Sequence, residues 1–293
     1  MPSFDQRDGY IWLDGQLVAW REAQLHVLSH GLHYASCVFE GNRAYNGEIF
    51  RLTDHSQRLI DSAMFLDMSI PYSRDELDEA CQQVLRANNL TDGYLRPVAW
   101  RGSEMMAVSA QDTTIHVAIA AWTWPSYFNP EIKTRGIRMQ TSSWRRPAPD
   151  TSPTQAKWAG GYAILTLAKH RAEKEGYQDA LTLDYRGNVA EATGANIFLI
   201  IDGVLHTPDP DSFLNGLTRQ TILTLAQELQ IPVRVRRIAP AELAQAQEVF
   251  IVGTAAEVTP VGCIDDLTFT PGDITKRLSE AYSDTVRSKP AKQ

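Results

Sequence analysis

The chain has 293 residues, 43% of them hydrophobic and 22% charged, with a formal net charge of −7. That length buries a core for two domains without covalent staples, and the three separated cysteines, Cys37, Cys81 and Cys263, exclude a disulfide framework or Cys-x-x-Cys zinc motif and fit a cytoplasmic setting. The acidic balance argues against a nucleic-acid partner, and with no run near the ~20 apolar residues of a membrane span, no membrane association is expected.

YIWLDGQLVAW reads as a hairpin around Asp14-Gly15, a type I′ turn signal, and a second strand pair flanks Asn46-Gly47. Thr53 is expected to cap a helix with Leu59, Ala63 and Leu66 on its apolar face. Ser73 starts a second helix that buries Leu77, Cys81, Val84 and Leu85 and stops at Asn88-Asn89. The strands GYLRPVAWRG and TTIHVAIAAW follow, and Pro97 predicts an edge or a bulge in the first. The aperiodic, proline-containing stretch 123–136 divides the chain into an N-terminal domain over 1–124, a linker over 125–136 and a C-terminal domain over 137–293.

Beyond it come a strand near 137–143, a helix from about Gly161 to Gly176, and strands turning at 186–188 and 202–203. A helix from Thr218 presents Ile222, Leu225, Ala226 and Leu229, and EVFIVGTAAEVTPV reads as strand, turn and strand. SSWRRPAP at 142–149 reads as a solvated loop, and the tail VRSKPAKQ at 286–293 as disordered. The fold class is mixed α/β in two domains, with a ligand cleft between them.

Four features carry chemistry. Lys157 is the single charge in PTQAKWAGGYAILTLA, where an ammonium is costly unless it has a use; its plain alternative is a surface lysine at a loop end. NGLTR, 215–219, places Gly216 and Thr218 at a helix start, a seat for phosphate or an ordinary cap. Thr254 in VGTAAE ends a strand with free N–H groups in reach of an anion, or simply turns the chain. Glu191 lies between alanines beside an apolar strand and needs a partner if buried. Together, an amine, an acid and two phosphate-binding turns fit pyridoxal 5′-phosphate.

The blocks HGLHYASCVFEGNRAY, YLRP, AKWAGGY, VAEATGANIF, LNGLTR and GTAAEVTPV resemble, in order, those of fold-type IV aminotransferases, above all the branched-chain amino acid aminotransferases. The resemblance implies a two-domain enzyme with a smaller N-terminal α/β domain, a larger C-terminal domain with a strand-rich core, and the cofactor in the cleft. It implies Lys157 as the Schiff-base lysine and general acid/base and Glu191 as the partner of the pyridine nitrogen. Arg58, Thr218 and Thr254 match phosphate ligands assisted by the Leu217 and Ala255 N–H groups, and Tyr162 lies near the phenolic oxygen. Tyr94 and Arg96 match the pair that binds the glutamate side chain, Phe39, Tyr162 and Tyr34 the apolar wall, and Ala255 and Ala256 the seat of the α-carboxylate. Residues matching Tyr34 and Val108 come from the neighbouring subunit, so at least a homodimer is implied, with hexamers an open extension. The implied substrates are L-leucine, L-isoleucine or L-valine with 2-oxoglutarate. Trp158, Ala195 and the stretch WRGSEMMAV, 100–108, depart from the family pattern.

Rivals with the same cofactor are a D-amino acid aminotransferase, an (R)-selective amine transaminase and an aminodeoxychorismate lyase, against which the Tyr-x-Arg pair argues. A remoter alternative is a metal hydrolase built on His26, His30 and His33, whose i, i+4, i+7 spacing would share a helix face but for Gly31, expected to interrupt a helix.

Overall fold

The computed structural model describes residues 3–124 and 134–288. The described residues form two compact units, one within Met1–Pro125 plus Ala156–Gly160 and one within Ser126–Gln155 plus Gly161–Gln293. The five residues around Lys157 therefore group with the first unit, although the sequence division at 137 assigns them to the second. The expected linker, 125–136, lies mostly outside the described residues.

In the first unit the strands are β1 (Tyr10–Leu13), β2 (Gln16–Ala19), β3 (Cys37–Phe39), β4 (Asn42–Tyr45), β5 (Glu48–Ile49), β6 (Gly93–Arg101) and β7 (Ile115–Trp122), and the helices α1 (His30–Tyr34), α2 (Leu52–Met64) and α3 (Arg74–Ala87). They make one sheet in the order β2-β1-β7-β6-β4-β5, with β3 also on β6. Both hairpin turns have positive φ at each central residue, 46° and 98° at Asp14-Gly15 and 52° and 86° at Asn46-Gly47, as a type I′ turn requires. The apolar faces of α2 and α3, with Leu59, Ala63, Leu77, Cys81 and Val84, share a core with Val38, Leu95, Val117 and Ile119 of the sheet. Ser73 caps α3 in a capping box with Glu76.

Three local expectations need correction. Thr53 is not a cap: α2 starts after Arg51, which is left-handed at φ 52°, and the Thr53 hydroxyl instead donates to Asp78 on α3 at 2.8 Å. Gly31 does not break a helix; it lies inside the five-residue α1, where a Cβ would come within 3.0 Å of Trp100. Pro97 is neither at an edge nor in a bulge. It pairs with Ile119 in an unbroken β6–β7 ladder, and β3 and β4 keep the same register on β6 on either side of Glu40-Gly41, which lie opposite Pro97 and Arg96. Proline offers no N–H there, so the ladder is interrupted while the Pro97 carbonyl still accepts from Glu40 N at 2.8 Å.

In the second unit the strands are β8 (Ile137–Arg145), β9 (Asp179–Leu183), β10 (Val189–Ala192), β11 (Asn196–Ile201), β12 (Val204–Thr207), β13 (Val233–Val235), β14 (Glu248–Gly253), β15 (Glu257–Ile264) and β16 (Leu267–Thr268). The helices are α4 (Ala163–Lys174), α5 (Leu217–Glu228) and α6 (Asp273–Arg287). The order β10-β9-β8-β15-β14-β11 closes on itself through a β10–β11 pairing, so these six strands form a ring. Ile137, Leu181, Val189, Ile197, Leu199, Ile251 and Val261 are buried in one cluster, an arrangement that side chains alternating in and out of a closed sheet produce.

The C-terminal stretch also differs from expectation. Residues 286 and 287 belong to α6, where Val286 is buried; 289–293 lie outside the described residues. No side chain of its own start caps α6. Buried Glu248 at the start of β14 instead accepts from Ile274 N at 3.3 Å and Thr275 N at 2.8 Å, placing a negative charge at the helix N-terminus. Glu248→Ala should lower the unfolding free energy by about 1–3 kcal/mol in urea titrations, with Glu248→Gln costing less; equal stability of Glu248→Ala and the parent would refute that anchoring role.

Candidate active site

In the first unit Phe39, the last residue of β3, is the organising side chain. Its amide donates to the Lys157 carbonyl at 3.1 Å, while the Lys157 amide donates to Ser62 Oγ on α2 at 3.0 Å. Val38 and Trp158 form an antiparallel bridge, so the lysine dipeptide runs as an added rung beside β3. Lys157 Nζ lies 4.8 Å from the Phe39 ring centre, and the Arg96 guanidinium lies 4.8 Å from the same centre. Arg96 Nη2 donates to Tyr94 Oη at 3.0 Å, and its Nε is buried with no hydrogen-bond partner among the described residues. Gly41 leaves room for Tyr94, whose hydroxyl would stand 2.0 Å from a Cβ at that position. Lys157, Phe39, Tyr94 and Arg96 thus gather in one unit.

Arg58 on α2 faces the interruption opposite Pro97. Its Nε and Nη2 donate to the two oxygens of Glu40 at 2.6 and 2.8 Å, and Glu40 also accepts from His55 Nδ1 at 2.7 Å and Gly41 N at 3.1 Å. Complete burial alone would raise the Glu40 pKa, but the Arg58 guanidinium and the His55 ring outweigh it and hold the carboxyl far below its usual range. Burial lowers the pKa of His55, only partly offset by Glu40, so the imidazole is neutral and its link to Glu40 is an N–H···carboxylate bond and not an ion pair. The sequence reading missed Glu40 and His55; the available signals were a carboxylate isolated in CVFEG and a histidine one helical turn before Arg58.

Tyr34 and Val108 are 44% and 87% exposed. His30 joins them: its ring stacks on Tyr34 at 4.5 Å, and its Nε2 donates to the Ala107 carbonyl at 2.8 Å. His33 bonds the Val27 carbonyl, and His26 accepts from Leu28 N. The three histidines therefore serve separate backbone groups, and among the described residues no set of three His, Cys, Asp or Glu side chains could hold a metal ion.

In the second unit the candidates come from three adjacent strands in register: Glu191 of β10 pairs with Asn196 of β11, and Asn196 with Val252 of β14. Glu191, 7% exposed, is paired with Arg146, whose Nε lies 3.3 Å from Oε1 and whose Nη1 donates to the Gly161 carbonyl at 2.9 Å. Arg146 is buried, which corrects its assignment to a solvated loop: the carboxylate on β10 requires a cation close by. Asn196 holds the loop before α5 through Leu214 O at 3.0 Å and Gly216 N at 3.2 Å, and α5 starts with no side-chain cap, with Leu217 and Thr218 buried in its first turn. Thr254, Ala255 and Ala256 form the β14–β15 turn, and Tyr162 ends the 3₁₀ turn before α4.

The sequence profile of the family described as Amino-transferase class IV matches residues 37–264. The chain belongs to the class IV aminotransferases. It is 46% identical to the branched-chain-amino-acid aminotransferase of Pseudomonas aeruginosa, covering 98% of this chain and 96% of that one. Its structure superposes on the branched-chain amino acid aminotransferase of Escherichia coli with a TM-score of 0.93 at 41% identity, over 97% of each chain. It superposes on the branched-chain amino acid aminotransferase of Thermobaculum terrenum in its PLP-form (holo-form) with a TM-score of 0.88 at 31% identity, over 96% of this chain and 95% of that one. The mixed α/β architecture with a strand-rich second unit is the fold-type IV fold of these enzymes.

The pKa directions fix a sign for acid stability. Groups held below their ordinary pKa in the folded chain bind fewer protons than when unfolded, so stability is lost as pH falls. His55 contributes from about pH 6.5 downward and Glu40 from about pH 4.3. His55→Asn should flatten the upper part of the decline in urea midpoints between about pH 7.5 and about pH 5; an unchanged slope would contradict a neutral, buried His55.

Proposed function

We propose that this enzyme transfers the amino group between L-leucine, L-isoleucine or L-valine and 2-oxoglutarate with pyridoxal 5′-phosphate as cofactor. The observation that carries the reading is the shared phenyl ring of Phe39, with an amine and a guanidinium each 4.8 Å from its centre. That arrangement offers an apolar wall to a branched side chain and, through Arg96, a charge for the glutamate side chain. The buried Arg96 Nε without a hydrogen-bond partner among the described residues is the kind of donor a substrate carboxylate completes.

The donor set fits pyridoxal phosphate part by part. Lys157 supplies the amine, Glu191 braced by Arg146 supplies the acid, and the side-chain-uncapped start of α5 supplies N–H groups and the Thr218 hydroxyl for a phosphate. Arg58, Leu217 and Thr254 complete that phosphate set in our reading, with Tyr162 beside the ring oxygen. When bound, the cofactor supplies an electrophilic carbonyl and an electron-accepting pyridinium ring. Glu191 then serves as acceptor for a proton on the ring nitrogen. Lys157 Nζ takes the proton from the substrate Cα and returns it during the transfer, as general base and then acid. Phe39, Tyr34 and Tyr162 exclude water from the substrate side chain, Tyr94 orients Arg96, and the Ala255 and Ala256 N–H groups hold the α-carboxylate.

The assembly is read as a homodimer. Leu25, Val27, Leu28, Leu32, Tyr34, Met106 and Val108 are large apolar side chains exposed on the α1 segment and the loop before β7, and a second copy covering them would remove that surface from water. No described helix is long and apolar enough to cross a membrane, and a cytoplasmic location is our reading.

Lys157→Ala should abolish the visible absorbance of the holoenzyme and reduce turnover by several orders of magnitude; a retained band would refute the assigned lysine. L-leucine with 2-oxoglutarate should be turned over far faster than D-alanine or an (R)-arylamine. Equal or greater rates with either would place the enzyme in another subclass of the same fold.

A further inference from the structure

Trp158 follows Lys157 where the resemblance expects a small residue, and its indole makes two specific contacts. The ring lies over Gly160 so closely that a Cβ there would stand 2.2 Å from Cζ2. Its Nε1–H donates to the carbonyl of Ala35. Ala35 ends α1 in the left-handed conformation, φ 55° and ψ 25°, and the same carbonyl accepts from Cys37 N at 2.8 Å. The tryptophan therefore clamps the turn between α1 and β3 onto the segment that bears the lysine.

That turn supports Tyr34. The next residue, Ser36, is hydrogen-bonded through its hydroxyl to His30 Nδ1 at 2.6 Å, and His30 stacks on Tyr34 and bonds the Ala107 carbonyl beside Val108. A continuous series of contacts runs from the Trp158 indole through Ala35, Ser36 and His30 to Tyr34 and to Ala107, the residue before Val108. The Lys157 backbone itself is held independently, by Ser62 and Phe39. Loss of the indole N–H thus acts on the Tyr34–Val108 platform with the lysine backbone still anchored.

We propose that Trp158 is a positioning residue that determines substrate specificity, fixing the Tyr34–Val108 platform that closes on the substrate side chain. The inference rests on the function and homodimer proposed above, in which Tyr34 forms part of the substrate wall and, as the resemblance implies, Tyr34 and Val108 reach the neighbouring subunit's site. A branched side chain fills such a wall and a linear one touches less of it, so displacement of the platform affects L-leucine more than L-norvaline.

The test is steady-state kinetics of the pyridoxal-phosphate-loaded enzyme with both amino acids. Trp158→Phe, which keeps a ring over Gly160 and loses the N–H, should raise the KM for L-leucine about three- to tenfold, the effect of one lost hydrogen bond. Its kcat should stay within about twofold, and the KM for L-norvaline should move less. Gly160→Ala, which drives the ring from its seat, should shift the same ratio and guards against a folding defect peculiar to one variant. In the Tyr34→Ala background the Trp158→Phe effect should vanish, because both act through one platform. A Trp158→Phe enzyme with lowered thermal stability and unchanged KM values would overturn the proposal, as would fully additive effects with Tyr34→Ala. Failure of the unaltered enzyme to turn over L-leucine would instead remove the underlying functional reading.

Discussion

Everything proposed for catalysis depends on where one amine is held. Lys157 is fixed through both of its backbone polar groups, its N–H to Ser62 on α2 and its carbonyl to the Phe39 amide on β3. A long, flexible side chain can reach a defined point only when its root is fixed, and the two backbone bonds fix that root. The anchoring also explains why Ala156–Gly160 groups with the first unit while the residues on either side belong to the second. The chain returns to the earlier sheet for five residues, adds a rung to β3, and leaves again.

A second constraint is the pairing of buried charge. Glu40 is satisfied by Arg58, His55 and Gly41, and Glu191 is paired with Arg146. A buried ion pair adds little net stability, yet losing one partner costs several kcal/mol, so each pair holds its members in one geometry. Proline contributes to the same end: Pro97 interrupts the ladder at Glu40-Gly41, and there the sheet hands a carboxylate to α2.

Local signals in the sequence were sufficient for the hairpin turns at Asp14-Gly15 and Asn46-Gly47, the Ser73 capping box and the apolar face of α3, since each depends on neighbours a few residues away. Lys157 was conspicuous as an isolated charge, and Glu191 and the NGLTR and VGTAAE turns by their settings. Partners from distant elements were not legible. Nothing local to SSWRRPAP says that Arg146 meets a carboxylate on β10, and nothing local to Thr53 says that its hydroxyl reaches Asp78 instead of capping α2. Val286 looked like part of a polar tail because the amphipathic period of α6 begins well before it, at Asp273.

The central claim, that Lys157 is the residue joined covalently to pyridoxal phosphate, is tested most directly by borohydride reduction of the purified holoenzyme followed by peptide mass spectrometry. The account predicts a phosphopyridoxyl group on Lys157 and none on Lys169, Lys174 or Lys276. A stable label on any of those three with Lys157 unmodified, or no label on a catalytically active preparation, would contradict it.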